Sequence, residues 1–306
     1  MVNHPRTNQI FVASRGLEIN NAFYTDHDQT KLYGCKINSA FQYTADGDYF
    51  RQNLAKIDVG QIDLVLLRLP RPITDAFLVW IEKIFSHAVI INKPSGIINT
   101  SNKAFLLELA GIKKEMKLCY SIEDVLDFSA KFPIVLKPLR EYGGKGILKI
   151  NGPTLDNGTD VHDTKSYLKT IEDELENQGY LAMKYLKNVH LGDKRILVVG
   201  GEIMAASLRL PAKDSWLCNV AQGGQAIASE VESEETDIIR KISPILEKKG
   251  ILIFGADTLV DDDGKRILSE VNTLSVGGFM QAEEQTGKPL ITKTIDKIFQ
   301  YADSNI

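Results

Sequence analysis

Two runs of alternating side chains, Lys194 to Val199 and Glu202 to Leu208, meet across Gly200-Gly201. Glycine accepts the positive-φ conformations of a two-residue hairpin turn, so this stretch reads as two adjacent antiparallel strands. A second hairpin is expected from Ile251 to Leu259, the turn Asp261-Asp262-Asp263-Gly264, and Arg266 to Val271. The last third of the chain is thereby committed to an antiparallel sheet. An amphipathic helix around Thr236 to Lys249 can cover it, with Pro244 predicting a kink or a break. A helix from about Pro289 to Tyr301 closes the chain.

The middle of the sequence repeats this logic. Pro133 to Lys137 reads as a strand, Gly143-Gly144-Lys145-Gly146 as a turn, and Ile147 to Ile150 as the returning strand. Thr100 or Ser101 is expected to cap a helix carrying Ala104 to Leu109, which Gly111 ends, and a further helix begins at Ser121. A helix from about Asp163 to Gln178 then leads to a strand at Tyr180 to Met183, giving a compact α+β module over residues 103–183. Toward the N-terminus, Ile10 to Ser14 and Asp63 to Arg68 are apolar runs of the kind buried on both faces of a parallel sheet. With a helix at Asp75 to Phe85 and a strand at Val89 to Asn92, they predict an α/β unit. Between Gly16 and Asn53 the apolar stripe of a helix is missing, and irregular or hairpin structure is expected.

Composition narrows the function. A net charge of −4, without a Lys/Arg run, gives no general attraction to nucleic acid. No apolar stretch approaches the ~18 residues of a membrane span, and the N-terminus lacks the apolar core of a signal peptide, so a cytoplasmic protein working on small molecules is expected. Cys35, Cys119 and Cys218 are widely separated and read as reduced thiols. HExxH, GxSxG and Walker A patterns are absent, which removes the usual support for zinc hydrolase, serine hydrolase and P-loop chemistry.

Asp257, Glu270 and Asn272 form the most informative set. Glu270 and Asn272 share one strand face, and pairing in the hairpin can bring Asp257 beside them. Three hard oxygen donors suit magnesium held together with nucleotide phosphates; the plainer alternative is a solvated polar face. Asp261, Asp262 and Asp263 sit at a turn, where solvent-facing acids are ordinary, and are assigned no metal. Lys103 and Lys137 supply complementary charge for phosphate oxygens, or are two surface lysines among many. Gly143 and Gly144 let backbone N–H groups approach an anion, as a flap over phosphates would. Arg195 and Arg209 lie on the two strands of the Gly200-Gly201 hairpin, either as anion forks or as surface ion pairs. Asn219 with Gly223-Gly224 marks a loop able to close over a reactive intermediate.

Read in order, these segments resemble the bacterial glutathione synthetases of the ATP-grasp superfamily. The matching stretches are Asn92-Lys93-Pro94 with Asn102-Lys103, Ile134 to Leu139 with Gly143-Gly144, and Gly192 to Val199 with Gly201-Glu202. Asn219 to Gly224, Gly255-Ala256-Asp257 and Ser269 to Asn272 complete the series. The resemblance implies an ATP-grasp fold of mixed α/β and α+β type in three parts. These are an N-terminal parallel α/β substrate-binding domain over 1–102, a central α+β lid over 103–183, and a C-terminal antiparallel-sheet domain over 184–306. It makes Lys103 and Lys137 phosphate contacts, Gly143 and Gly144 part of the flap, Lys184, Tyr185 and Leu186 the adenine hinge, and Asp193 a ribose contact. Asp257, Glu270 and Asn272 become ligands of two Mg2+ ions, with Mn2+ as a substitute, and Arg195, Arg209 and Asn219 face the transferred phosphoryl group. The implied reaction uses ATP to phosphorylate the C-terminal carboxylate of γ-glutamylcysteine, after which glycine displaces phosphate; a homo-oligomer is implied as well.

Two departures bear on the substrate. The N-terminal region is short and shows no first helix, and after Asn272 the chain reads Thr273-Leu274-Ser275-Val276-Gly277-Gly278-Phe279 where the family commonly has Thr-Ser-Pro. Ser275 and Gly277 are the candidates for a substrate carboxylate. A ligase for another acid and amine, of D-alanine–D-alanine or ribosomal-protein glutamate type, and a nucleotide-binding regulator without catalysis are the alternatives.

Overall fold

The computed structural model describes residues 1–41, 46–109, 115–141, 143–211, 216 and 225–305. Four sheets organise the described residues. Strands β1 (Ile10–Val12), β2 (Tyr33–Ile37) and β3 (Leu54–Lys56) form an antiparallel sheet, and β4 (Leu64–Leu66) pairs in parallel with β5 (Val89–Ile91). The helix Asp75–Ile84, capped by the Thr74 side chain on the Phe77 N–H, makes the crossover between β4 and β5.

Ile10 to Ser14 was expected in a parallel sheet, and here the structure corrects the reading: β1 is half-buried and runs antiparallel to β2, with Ile10 opposite Ile37. A parallel neighbour needs a crossover helix. Among the described residues from Gly16 to Asn53 the one α-helix is the five-residue Asn21–Thr25, with short 3-10 turns beside it, before the chain turns back through the β2–β3 pair.

The central sheet runs β10-β9-β8-β7-β11-β6, all antiparallel. Its strands are β6 (Met116–Cys119), β7 (Ile134–Pro138), β8 (Leu148–Asn151), β9 (Thr154–Asp156), β10 (Val161–Asp163) and β11 (Tyr180–Lys184). Alternation on β7 decides its two faces: Ile134 and Leu136 are wholly buried among Val125, Ile150, Leu168 and Leu175, while Val135 and Lys137 are left for the opposite side. The helix expected over 163–178 is two, Thr164–Thr170 and Glu172–Gln178. They break at Ile171, where the β-branched pair Thr170-Ile171 weakens the helix and Ile171 packs on the core. The segment expected as a helix after Thr100 is instead a 3-10 helix, Lys103–Glu108. Its cap is Asn102, whose side chain accepts the Ala104 N–H at 2.9 Å. Gly111 lies outside the described residues.

The third sheet runs β14-β13-β12-β15-β16, with β12 (Asp193–Val199), β13 (Glu202–Leu210), β14 (Gln225–Ser229), β15 (Ile253–Val260) and β16 (Arg266–Asn272). The helix Ser233–Lys248 lies against it, burying Glu235, Ile239, Ile242, Ser243 and Leu246. It runs unbroken through Pro244, because Pro244 and Arg240, whose carbonyl loses a donor, are both on the exposed side where water can serve.

Beneath the sheet, Lys194 is 2% exposed and donates to Glu235 Oε2 at 2.8 Å, Glu232 Oε1 at 2.9 Å and the Glu230 carbonyl at 2.9 Å. Thr258 donates to the other Glu235 oxygen at 2.5 Å. The buried amide of Asn92 ties β5 to this sheet. Its nitrogen donates to the Ile253 and Thr273 carbonyls and its oxygen accepts the Leu252 and Ile253 N–H groups, so every polar valence is used.

Candidate active site

Alternation along β12 sends Lys194 to the helix side and Asp193 and Arg195 to the other. The register places Asp193 opposite Arg209 on β13, Arg195 opposite Asp257 on β15, and Asp257 opposite Glu270 on β16. Asn272 lies opposite Gly255, and a register shift follows Asp257. The β12–β13 and β15–β16 hairpins thus bring their charged residues onto one face.

Arg195 grips Asp257 with two bonds, Nε to Oδ1 at 2.7 Å and Nη2 to Oδ2 at 2.6 Å. Arg209 does the same to Asp193, at 2.7 and 2.5 Å, and reaches Asp257 Oδ2 at 2.9 Å. Asn272 Nδ2 is 3.3 Å from Asp257 Oδ2. Asp257 is 2% exposed. Burial opposes its ionisation, but the charges of Arg195 and Arg209 prevail and hold its carboxyl well below the usual range. Burial and the neighbouring Asp257 charge push Asp193 upward, with Arg209 working against them. Arg195 and Arg209, expected to face a phosphoryl group, thus engage buried carboxylates in this structure, and both oxygens of Asp193, expected at a ribose, are held by Arg209.

This face and the free face of the central sheet enclose a cleft of about 230 Å³. Val135 and Met183, a cross-strand pair on the central sheet, line it together with Leu259 and Ile267, a pair on the C-terminal sheet. Two residues back along β15 from Leu259 the lining becomes ionic: Asp257 and Glu270 border the cleft together with Lys103 and Lys137, and Lys103 is close enough to Glu270 and Lys137 to feel their charges. Gly143 and Gly144, at φ 66° and 81°, line it too, as do Lys184, Tyr185, Leu186 and Asp193. Lys103 is 7% exposed and donates to the Glu141 carbonyl. Burial draws its pKa down to about 8; Glu270 resists this, while the charges of Lys137 and Arg71 reinforce it.

Asn219, like Gly223 and Gly224, lies outside the described residues. Ser275 and Gly277 do not line the main cleft. Ser275 borders a niche of about 10 Å³ with Arg68, Asn92 and Thr273. The sequence reading missed Glu115, Ile147, Val189 and Trp216 as lining residues, and it set aside Asp261, Asp262 and Asp263, all three of which border the cleft. Asp262 accepts the Lys187 N–H at 2.9 Å and pairs with Lys184 at 3.0 Å, so the turn is docked against the end of β11. Val135 was missed as well, although alternation along β7 signals it; a turn rich in Asp carries no signal for docking.

A cleft between two antiparallel sheets, walled by apolar pairs and bordered by lysines and carboxylates, is the arrangement of an ATP-grasp fold. The chain belongs to the prokaryotic glutathione synthetase ATP-grasp family: the family's ATP-grasp domain matches residues 102–287. It is 26% identical over 265 residues to a glutathione synthetase of Agrobacterium fabrum, covering 84% of this chain and 78% of that one. With a glutathione synthetase of Brucella melitensis the identity is 28% over 236 residues, 75% of this chain and 71% of the other. The fold is similar to that of the D-cycloserine synthetase DcsG, with a TM-score of 0.61 at 13% identity over 79% of this chain and 86% of that chain. The chain is therefore an ATP-dependent ligase of the ATP-grasp type. Among the described residues, no helix is long and apolar enough to cross a membrane.

Proposed function

We propose that the chain joins γ-glutamylcysteine to glycine through an acyl phosphate, with ATP as phosphoryl donor and release of ADP and phosphate. The observation that carries this reading is that Lys103, Lys137, Asp257 and Glu270 border one cleft between the two sheets, in a chain whose family match spans 102–287. Phosphoryl transfer depends on positioning and on neutralising charge, and this set supplies both without a protein nucleophile.

The donor chemistry fits magnesium: Asp257, Glu270 and the Asn272 side-chain oxygen are hard donors, and Asp257 and Glu270 line the cleft. In this structure Arg195 holds both Asp257 oxygens and Asn272 turns its nitrogen to Asp257, so binding the ion would require Asp257 to share its oxygens and the Asn272 amide to turn over. When bound, Mg2+ would neutralise and orient phosphate oxygens. The chain's own residues do the rest. Lys103 and Lys137 hold the phosphates, and Gly143 and Gly144 cover them with backbone N–H groups. The hinge Lys184, Tyr185 and Leu186 seats the base, beside Asp193 at the sugar. Arg209 stays locked between Asp193 and Asp257 and keeps Asp257 ionised and fixed. Arg195, whose side chain is 26% exposed, can add its charge to the acyl phosphate, as Asn219 can its amide. Ser275 and Gly277 would meet the acid, and the domains would divide at residues 102 and 183 in a cytoplasmic homo-oligomer.

A ligase for a different acid and amine is the second reading, favoured by the antiparallel β1–β3 sheet and the Thr273–Phe279 loop. An ADP-release screen over dipeptide acids and amino-acid acceptors separates the two. Turnover that needs γ-glutamylcysteine and glycine together supports the proposal; saturation by another pair, with no response to these, overturns it.

A further inference from the structure

The chain leaving β4 and the loop following β16 clasp each other. Ser275 Oγ donates to the Leu69 carbonyl at 2.8 Å, and Arg68 Nη1 donates to the Val276 carbonyl at 2.5 Å. Ser275 sits at φ 49°, a left-handed conformation that non-glycine residues keep only where their surroundings enforce it, and one that recurs where ligands are held. Next to it, a Cβ placed on Gly277 would meet no atom within 4 Å, so the loop faces open space there.

Ligands of α/β sheets collect outside the carboxyl ends of parallel strands. Arg68 stands at that end of β4, as Asn92 does at that end of β5. Its side chain is exposed. Among the described residues its hydrogen bonding is to the Val276 carbonyl alone, with no carboxylate paired to it, although a guanidinium carries five donors. That single bond fixes the fork in place and leaves the remaining donors for an anion. Arg71, three residues on, is close enough for its charge to bear on Lys103, which sets this segment beside the phosphate end of the cleft.

We propose that Arg68 receives a second carboxylate of the acid substrate, distinct from the one that is phosphorylated, and so selects acids that carry two. Ser275 and Gly277 frame its approach. The planar fork matches a carboxylate bidentately, which a lysine at the same place cannot do. The inference rests on the ligase reading above and adds a specificity-determining residue to it.

The test is steady-state ADP release by the wild type, Arg68→Met and Arg68→Lys, with glycine as acceptor. Two acids are compared: γ-glutamylcysteine, and the same peptide with its glutamyl α-carboxylate converted to a primary amide. The expected result is at least a tenfold wild-type preference in kcat/KM for the dicarboxylate. In Arg68→Met the preference disappears and KM for the acid rises at least tenfold, with KM for ATP within twofold of wild type. Arg68→Lys, which keeps charge without the fork, falls between. Unchanged discrimination in a folded Arg68→Met, or a matching rise in KM for ATP, overturns the assignment. If the wild type ignores γ-glutamylcysteine, the same variants are run on the acid the enzyme does use. A dicarboxylate whose KM depends on Arg68 then sustains the inference while the glutathione reading falls. A monocarboxylate as the preferred acid, or no acid turned over at all, overturns the inference.

Discussion

Glu235 supports the site from behind. Its carboxylate joins Lys194 to Thr258, which are cross-strand partners, and the next residues in line are Arg195 and Asp257, paired on the opposite face. Glu235 is fully buried and Lys194 nearly so. Replacing Glu235 with alanine leaves a buried ammonium with only the more exposed Glu232 and a carbonyl as partners, and deprives the Thr258 hydroxyl of its acceptor. Breaking a buried pair from one side costs about 3–5 kcal/mol, and an orphaned hydroxyl adds about 1 kcal/mol. In a chain larger than about 250 residues each kcal/mol lowers Tm by about 2 °C, so a fall of about 10 °C is expected, seen by thermal melts followed by circular dichroism. The double variant Lys194→Met with Glu235→Leu replaces the pair by apolar groups of similar size and should recover most of the loss. A Glu235→Ala protein within ~1 kcal/mol of wild type, or a double variant as damaged as the single, would refute this reasoning.

Replacing Lys103 with methionine should weaken nucleotide binding about 10- to 100-fold, the worth of one charge-assisted contact to phosphate, as measured by calorimetric titration with ADP. Glu270→Ala should abolish magnesium-dependent turnover while leaving the melting temperature within a few degrees; normal turnover would sink the assignment of Glu270 to the metal. Burial pushes the Cys119 thiol, wholly enclosed in the central core, up to about 11 from an ordinary value of 9.0. Between those two pH values the unfolded chain has released a proton that the folded one keeps, so stability falls as pH rises. The loss is about 2 kcal/mol and should be missing from Cys119→Ala when urea titrations at pH 8.5 and 10.5 are compared.

The parts of this molecule that could be read in advance are those fixed by local chemistry. Gly200-Gly201 and the Asp261–Gly264 turn specify hairpins because few residues tolerate the turn geometry, and β7 declares its faces through strict alternation. What escaped depended on distant partners. The run Ile10 to Ser14 looks the same in either kind of sheet; the missing helical stripe between Gly16 and Asn53 argues against a crossover, and the antiparallel pairing with β2 follows it. Asn92 reads as the end of a strand and the start of a matching stretch, with nothing local to show that its amide meets four backbone groups more than 150 residues away. Likewise Asp257, Arg195, Arg209 and Asp193 were recognisable as candidates one by one, whereas their interlocked pairing follows from strand register and the shift after Asp257. The docking of Asp262 on Lys184 and Lys187 is of the same kind.

The central claim is that an acyl phosphate forms on the acid, and one isotope measurement tests it most directly. With both oxygens of the C-terminal carboxylate of γ-glutamylcysteine replaced by oxygen-18, phosphorylation places one labelled oxygen in the bridge to phosphorus. Glycine's amine then expels that bridge as phosphate. Mass spectrometry of the released phosphate should find one labelled oxygen per molecule, with the other retained in the new amide. Phosphate released without label would contradict the account.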